Sequence, residues 1–596
     1  METSGMDMSG GLPWELLTDS ILLVIMSFLD AKSLMSAAKT CKHWYCVAHD
    51  NCLWKDLVRN KVLSKVPKQN RKDINGERVS VWKDEYVRME DEAPFVLSEN
   101  LERHTDEIYH ISFSPSGSFF STTGRDASVR IWKYGYPCTL HAERTDLESH
   151  MIYTRFSEFN QSETFLLVAG IATYIVGGDS CIFILSLKND LNILYEVTGS
   201  NSNFRGCWLD DSTFLNGSFI MRPTGDRRFY IRKHKVKDHK KSELPRNLMD
   251  FRGQDIMILE PYCRINDFAR VVYLPTSCLQ QPATPSLEEP LTPQFEYIDA
   301  EKSEDGREAT STNCGEDEPS SSQCSTTGSS YIQENLSPVL IIANNTEEYR
   351  YPSTGSLRFY RVPDQATTEQ DCKETEKSPE RCQNFTSADA DGPGGLVGMR
   401  LSSDNRYLAF NYRSCAKEEG EYQHGFYIKD IDLKVYDLYN MCFTGTVYTG
   451  HSAMSQDHLS YIFPAVSDHY LASGSEVEKG FLWDRRFGNI LAELDHAAHP
   501  GNGGVNATVF HPHSEEVLIS LGDDRKIKVW RSKRLLRELE RSNTARGVCN
   551  PYKQSDLYRY RDSSLEMDEA DGHLDDDLVT CCVMKKKSDR KCSKYT

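Results

Sequence analysis

The sequence predicts an α+β multidomain protein in which a small all-α N-terminal domain precedes an all-β propeller. Apolar residues recur at helical spacing between residues 12 and 57, and short strand-and-turn segments repeat between 95 and 535. Acidic, polar stretches interrupt these repeats. We favour seven blades, with segments 250–275 and 338–363 in one interrupted blade; if they are separate, the number is eight.

The expected domain boundaries follow these changes of pattern. They are 1–60 for the helical domain, 61–94 for a linker with a short helix, 95–535 for the propeller and 536–596 for a disordered tail. Two propeller inserts, 281–337 and 363–393, are also expected to be disordered. The first has twelve acidic residues against two basic ones, so it buries too little apolar surface to offset its ordering entropy.

Composition restricts the class of protein. The chain has 596 residues, 39% of them apolar, which is enough for more than one core. A net charge of −19 argues against nucleic acid or an acidic membrane as the main partner. The 18 cysteines are scattered rather than arranged as a disulfide framework, and no secretory signal is evident. We expect a cytoplasmic protein with reduced thiols.

Three helices are predicted before residue 60. Pro13 suits the first turn of a helix whose apolar row runs through Ile21, Val24, Ile25 and Phe28. Ser33 is the expected cap of a second helix that runs from Leu34 to Tyr45, and Asp50 or Asn51 is the expected cap of a third. A domain of fewer than about fifty residues rarely buries this much apolar surface by itself. We therefore expect one face of these helices to contact another protein.

A short connecting helix is predicted in the linker. Val79, Trp82 and Tyr86 recur there at helical spacing.

The strand region contains internal repeats. Asp126 and Asp524 each stand six residues before a strand tryptophan, Trp132 and Trp530. Predicted third-strand aromatics are spaced by 47 residues in two series, Tyr436, Trp483, Trp530 and Phe183, Tyr230. Because closure removes exposed strand edges, we expect Phe95–Leu97 to complete the last blade.

We find no catalytic motif that we would defend. Phosphate-loop, zinc-protease and serine-hydrolase patterns are missing from the sequence. His104 and Asp126, with Ser121 or Thr122 and with Trp132, are better interpreted as a buried hydrogen-bond network that holds a blade. We therefore expect no enzyme activity, no cofactor and no metal site.

The N-terminal helices resemble an F-box. The motifs that carry this resemblance are Leu12-Pro13, Ile21–Asp30, Cys41-Lys42-His43-Trp44 and Leu53-Trp54. The resemblance implies docking on the Skp-type adaptor of a cullin–RING ubiquitin ligase. The residues it implies for that contact are Leu12, Pro13, Leu16, Ile21, Phe28, Leu29, Leu34, Trp44, Leu53 and Trp54.

The strand repeats resemble WD40 repeats, and one of them carries a further motif. Trp483-Asp484-Arg485-Arg486 resembles the pattern that marks docking on the damaged-DNA-binding adaptor of a second cullin ligase. The resemblance implies that Trp483, Asp484 and Arg486 take part in this contact. The alternative is that Trp483 and Asp484 only build the blade and that Arg486 is solvated.

An F-box followed by WD40 repeats is the layout of the F-box/WD-repeat substrate receptors. This resemblance implies a non-catalytic subunit that binds the Skp-type adaptor and cullin and presents target proteins for ubiquitination and proteasomal degradation. It also implies cytoskeletal or centriole-assembly regulators as targets. The alternative is a scaffold outside the ubiquitin system that organises cytoskeletal or centrosomal partners.

Overall fold

The computed structural model describes thirteen segments of the chain. By its contacts the chain divides into Met1–Asn550 and Pro551–Thr596, and the described residues all belong to the first unit. The described segments are 17–65, 79–172, 180–198, 206–221, 227–236, 254–258, 265–275, 336–348, 351–362, 386–418, 421–456, 460–496 and 503–545.

Between residues 17 and 65, which the structure describes, the N-terminal domain has four helices, in the order α1 Asp19–Met26, α2 Ala31–Ala37, α3 Lys42–Ala48 and α4 Asn51–Lys65. The prediction of one continuous second helix is wrong, because the chain breaks between α2 and α3 and restarts with Cys41 as the N-cap. The Ser33 cap is also wrong. Asp30 caps α2, and its carboxylate accepts the Ser33 N–H. Asp50 accepts the Cys52 N–H at the start of α4, as predicted.

The predicted linker helix is confirmed as α5, Trp82–Val87, and a π-helical turn, Arg88–Glu92, continues it. The Trp82 ring stacks on Phe487 of the propeller at 6.3 Å between centroids. Trp54 of α4 meets Tyr86 edge-on at 5.5 Å. One hydrophobic cluster therefore runs from the helical domain through α5 into the propeller.

The propeller has seven blades, as predicted. The strands of the first three blades are β2 Ile108–Phe113, β3 Phe119–Gly124, β4 Val129–Lys133, β5 Thr139–Arg144, β6 Met151–Phe159, β7 Phe165–Ala172, β8 Ser180–Ser186, β9 Ile193–Thr198, β10 Cys207–Trp208, β11 Thr213–Met221, β12 Arg227–Lys235 and β13 Gln254–Ile258. Four consecutive strands make each of these blades.

The fourth and fifth blades share one long strand, β17. Its first part pairs with β16, and its second part, from Gly394, pairs with β18. A short strand, β19, also pairs with β18. The strands are β14 Ile265–Pro275, β15 Leu336–Glu348, β16 Tyr351–Arg361, β17 Thr386–Leu401, β18 Tyr407–Glu418, β19 Glu421–Tyr427, β20 Asp432–Asp437 and β21 Cys442–Tyr448. Segment 250–275 therefore divides, with β13 in the third blade and β14 in the fourth.

The last two blades consist of β22 Ala465–Val466, β23 Tyr470–Ser473, β24 Lys479–Asp484, β25 Ile490–Asp495, β26 Val505–His511, β27 Ser514–Gly522 and β28 Lys526–Arg531. The seventh blade is completed by β1, Val96–Glu102, which pairs with β28 and sets Leu97 opposite Trp530. The predicted closure of the ring is confirmed. The five predicted third-strand aromatics lie on β8, β12, β20, β24 and β28, the third strands of their blades.

Two predicted disordered segments overlap regular structure. Residues 386–393 of the second insert belong to β17, and residues 336–337 of the first belong to β15. The predicted tail begins inside a sixth helix, α6, Lys533–Ala545, in which Leu536 is buried. The predictions are wrong for these residues. The remainder of the predicted inserts and tail, 281–335, 363–385 and 546–596, lies outside the described residues.

Candidate docking surfaces

The first helix and the turn that follows it expose a row of apolar side chains. Ile21, Val24 and Phe28 are 51%, 61% and 84% exposed, and Ile25 lies between them on the same face. The opposite face of α1 is buried through Leu22 and Met26. Because water-exposed apolar groups of this size gain free energy on burial, the row is suited to contact with another protein.

The orientation of α1 is set by its neighbours. The His43 ring on α3 hydrogen-bonds the Asp19 carboxylate at 2.6 Å, which ties the start of α1 to α3. Behind the helix, Leu22 and Met26 join the same cluster as Leu34 and Trp54. The exposed row therefore rests on a packed base.

The linker is joined to the sixth blade by buried ion pairs. Arg88 donates to the Asp484 carboxylate at 2.5 Å and to Glu85 at 2.8 Å. Arg486, which is half-exposed, donates to the other oxygen of Glu85 at 2.5 Å. Burial opposes ionisation of Glu85, but Arg88 and Arg486 outweigh it and hold its pKa below the ordinary value.

The acidic turn after α5 is held from two sides. Glu90 accepts from Lys61 of α4 and from Lys533 of α6, the latter at 2.6 Å. Next to it, Arg534 and Arg537 of α6 pair with Glu92 and Asp91 at 2.6 and 2.5 Å. The N-terminal helices, the linker and helix Lys533–Ala545, which follows the propeller, are thereby connected through one charged cluster.

Two blades contain the predicted His–Asp–Trp network. His104 contacts Asp126 at 2.9 Å and Thr122 at 2.8 Å, and the Trp132 indole N–H donates to Thr122 at 3.1 Å. Of the two predicted hydroxyl partners, the structure thus uses Thr122. Burial lowers the pKa of His104 despite the neighbouring carboxylate.

The seventh blade repeats the arrangement. His496 contacts Asp524 at 3.1 Å and Ser520 at 2.7 Å, and the Trp530 indole N–H donates to Ser520 at 2.7 Å. These side chains are buried and connect strands of one blade, so their arrangement fits a structural role. Within the described segments, no group of three or more His, Cys, Asp or Glu side chains is placed to hold a metal ion.

Comparison with known proteins agrees with this architecture. The F-box-like family matches residues 14–60, and the WD domain, G-beta repeat, matches residues 95–133 and 490–531. F-box/WD repeat-containing protein 5 of Rattus norvegicus is 25% identical over 89% of this chain and 96% of its own length. The same protein of Mus musculus and of Homo sapiens is 26% identical over the same shares. The chain is therefore similar to F-box/WD-repeat proteins along most of its length. The resemblance to F-box/WD-repeat proteins that the sequence predicts is confirmed.

The ten side chains predicted to meet an adaptor occupy different environments in this F-box. Ile21 and Phe28 are exposed, and Leu29 and Trp44 are partly buried. Leu34, Leu53 and Trp54 are interior, so they support the surface instead of forming it. Leu12, Pro13 and Leu16 lie outside the described residues. Val24, Ile25 and Tyr45 are also exposed, and the helical spacing of the first two was the signal that could have placed them on the surface.

The Trp-Asp-Arg-Arg motif of the WD40 propeller is largely engaged within the chain. Trp483 is buried and donates to the Thr449 carbonyl oxygen at 3.1 Å, and Asp484 is buried against Arg88. Arg486 holds Glu85 of the linker. The predicted contact with a second adaptor stays a prediction. No described helix is both long and apolar enough to cross a membrane.

Proposed function

We propose that this chain is a non-catalytic substrate-recognition subunit of a cullin–RING ubiquitin ligase. The F-box would dock on a Skp-type adaptor, and the propeller would hold a target protein for ubiquitination and proteasomal degradation. The cytoplasm is the proposed compartment. The observation that carries this proposal is the exposed row formed by Ile21, Val24 and Ile25 on α1 and Phe28 in the turn after it, behind which the other face of α1 is packed.

The energetics favour a protein partner for this row. Full burial of one such side chain contributes about 1.5–3 kcal/mol, so four of them can supply much of the free energy of a stable complex. In protein interfaces, a few residues at the apolar centre contribute most of the binding free energy, and polar residues surround them.

The proposed mechanism is proximity. Binding to a shared assembly raises the effective concentration of the target's lysines near the charged ubiquitin carrier. The ion pairs of Glu85 and Arg88 with the sixth blade fix the linker against the propeller, so the direction of a bound target relative to the F-box is defined. The transfer chemistry belongs to other subunits of the ligase.

The proposal is tested by capture of a purified Skp-type adaptor on the full-length chain. We expect Val24→Asp with Phe28→Asp to weaken capture by at least about tenfold, because charges would then face the adaptor's apolar surface. Val477→Asp, a matched change of an exposed apolar residue of the propeller, should have no effect. Undiminished capture by the double variant would show that this exposed row does not bind the adaptor. Absence of capture by the unchanged chain would favour the scaffold alternative.

Docking on a second adaptor through Trp483, Asp484 and Arg486 is a separate proposal. It is supported by the match to the motif, and it requires Arg486 to leave Glu85. Arg486→Ala should reduce capture of a purified damaged-DNA-binding adaptor without affecting the Skp-type adaptor. Glu85→Gln should increase capture, since it releases Arg486. An unchanged yield with both variants excludes the motif from the contact.

A further inference from the structure

A large cavity opens at one end of the propeller channel. Its volume is about 810 Å³, within the range of protein sites that bind ligands or short peptide segments. It is lined by the segments that lead into the inner strands of the first, second and seventh blades and by loops of the sixth. We call it the channel-mouth pocket. Its lining residues used below are Asp106, Glu107, Arg125, Ile152, Tyr153, Arg155, Met454, Tyr461, Glu476 and Asp523.

Acidic groups outnumber basic groups in this pocket. Four carboxylates line it, at Asp106, Glu107, Glu476 and Asp523, against two guanidinium groups. Arg125 pairs with Glu107 at 3.0 Å and with Asp106 at 3.7 Å, so its charge is already used. The excess is therefore negative.

The remaining two carboxylates form no ion pair with any other described residue. Glu476 accepts the Met454 N–H and, at 3.1 Å, the Ser455 N–H through one oxygen, and its other oxygen is buried without a hydrogen-bond donor among the described residues. Asp523 accepts from the Gly504 N–H at 3.0 Å and from the Asn506 side chain at 2.7 Å. Burial, together with Glu107 and Asp524, raises the pKa of Asp523. A cation placed here would relieve this unfavourable electrostatic environment.

The same pocket offers aromatic and apolar contacts. The Arg155 guanidinium lies 4.7 Å from the centre of the Tyr461 ring and 5.5 Å from that of Tyr153, so these rings already accommodate a cation of this shape. Ile152 and Met454 line the pocket and are each more than half exposed, so apolar surface is open beside the carboxylates. Carboxylates, rings and exposed apolar groups together match a basic residue next to an apolar one.

We propose that the channel-mouth pocket binds a lysine or arginine of an extended segment of a partner protein, and that an adjacent apolar residue of that segment packs on Ile152 and Met454. The proposal rests on the proposed function, because it assigns the class of target segment that the receptor recognises. An acidic or phosphorylated segment is disfavoured, since it would face four carboxylates and two guanidinium groups that already have partners.

The test uses the full-length chain without an adaptor and an array of nine-residue peptides in a Gly/Ser background. Each peptide has a central Lys-Leu, Arg-Leu, Lys-Ser or Glu-Leu pair, and affinities are then measured by fluorescence anisotropy. We expect Lys-Leu and Arg-Leu to bind, Lys-Ser to bind about tenfold more weakly and Glu-Leu not to bind. Failure of both basic–apolar peptides to bind would overturn the proposal, and so would equal binding of Glu-Leu.

Variants locate the binding site. Glu476→Gln with Asp523→Asn should lower the affinity for the Lys-Leu peptide about tenfold or more. Ile152→Lys, a change at an exposed position, should lower it too and keeps the test valid if the double variant folds poorly. Glu493→Gln removes an exposed carboxylate on β25 and serves as the matched control. Equal affinity of all four proteins would overturn the proposal.

Adaptor capture on the same samples separates the two proposals. For the unchanged chain, absence of peptide binding with intact capture counts against the pocket alone. For the same chain, absence of capture with intact peptide binding counts against the ligase role alone.

Discussion

Arg88 donates to the buried carboxylate of Asp484 at 2.5 Å, and this pair joins the linker to the Trp-Asp motif of the sixth blade. The Tyr470 hydroxyl adds a hydrogen bond to the Arg88 carbonyl oxygen at 2.9 Å. Burial opposes the charged form of Arg88, but Asp484 and Glu85 outweigh it and hold its pKa above the ordinary value. The position of the F-box therefore depends on an aspartate whose usual role is within a single blade.

This relationship predicts unequal effects for two neighbouring arginines. Arg88→Ala should destabilise the protein by about 3–5 kcal/mol, because it leaves Asp484 buried without a partner. Arg486→Ala should cost about 1 kcal/mol or less, since its ion pair is half-exposed. Urea denaturation measures both. Faster hydrogen exchange in α5 is expected for Arg88→Ala only, and equal losses of stability would contradict the assignment.

The strand that closes the ring predicts a similar contrast between two glutamates. Glu99 and Arg531 form a fully buried ion pair at 2.5 Å, and Glu99 also accepts the Cys138 N–H at 2.6 Å. Glu99→Ala should cost about 3–5 kcal/mol, because a buried guanidinium loses its counter-charge. Glu102→Ala on the same strand removes an exposed pair with Lys526 and should cost less than about 1 kcal/mol. Equal unfolding midpoints for the two variants would contradict this account of ring closure.

The contact between the sixth and seventh blades predicts an effect of one glycine. A Cβ at Gly474 would lie 1.7 Å from the Val505 carbonyl oxygen, where the two blades hydrogen-bond through Ser475. Gly474→Ala should therefore destabilise the protein by about 3 kcal/mol. Gly480→Ala is the control, because its Cβ would lie 3.1 Å from the Ser473 carbonyl oxygen and 3.4 Å from the Leu494 side chain, distances that need only a small shift. Thermal unfolding that ranks the two variants equally would show that the blades can separate at little cost.

Short-range patterns allowed much of this architecture to be predicted. The helical spacing of Ile21, Val24 and Ile25 arises within one helix, and the interval between Asp524 and Trp530 arises within one blade. The second helix was predicted too long because apolar spacing continues across Cys41, whereas the caps of α2 and α3 divide it.

Contacts between distant segments could not be predicted. Arg88 and Asp484 are 396 residues apart, and no spacing rule relates a linker arginine to a blade aspartate. Interior packing of Leu53 and Trp54 likewise depends on α5 and on the blades behind it. The polar strand at 386–393 was predicted as a loop, because its composition lacks an apolar pattern and its pairing with β16 supplies the order.

His451 predicts how stability depends on pH. Its ring is fully buried beside Trp483, contacts the Asn411 side-chain oxygen at 3.1 Å, and has a pKa lowered by burial to about 3. Because the unfolded chain binds a proton near pH 6.5 and the folded chain does not, this stabilising contribution is complete above pH 6.5 and is lost as pH falls toward 3. The expected slope is about 1.4 kcal/mol per pH unit, or about 2 kcal/mol lost by pH 5.

The difference between the unchanged chain and His451→Gln isolates this group from the other buried histidines. Urea denaturation from pH 4 to 7 should give a shallower slope for the variant, by about one proton. His469 is the matched control, because its hydrogen bond to Glu515 raises its pKa. Its contribution is therefore complete below pH 6.5 and is lost as pH rises above that value through the folded pKa, so His469→Gln should leave the slope between pH 4 and 6 unchanged. Parallel curves for the unchanged chain and His451→Gln would mean that the buried ring accepts a proton without unfolding.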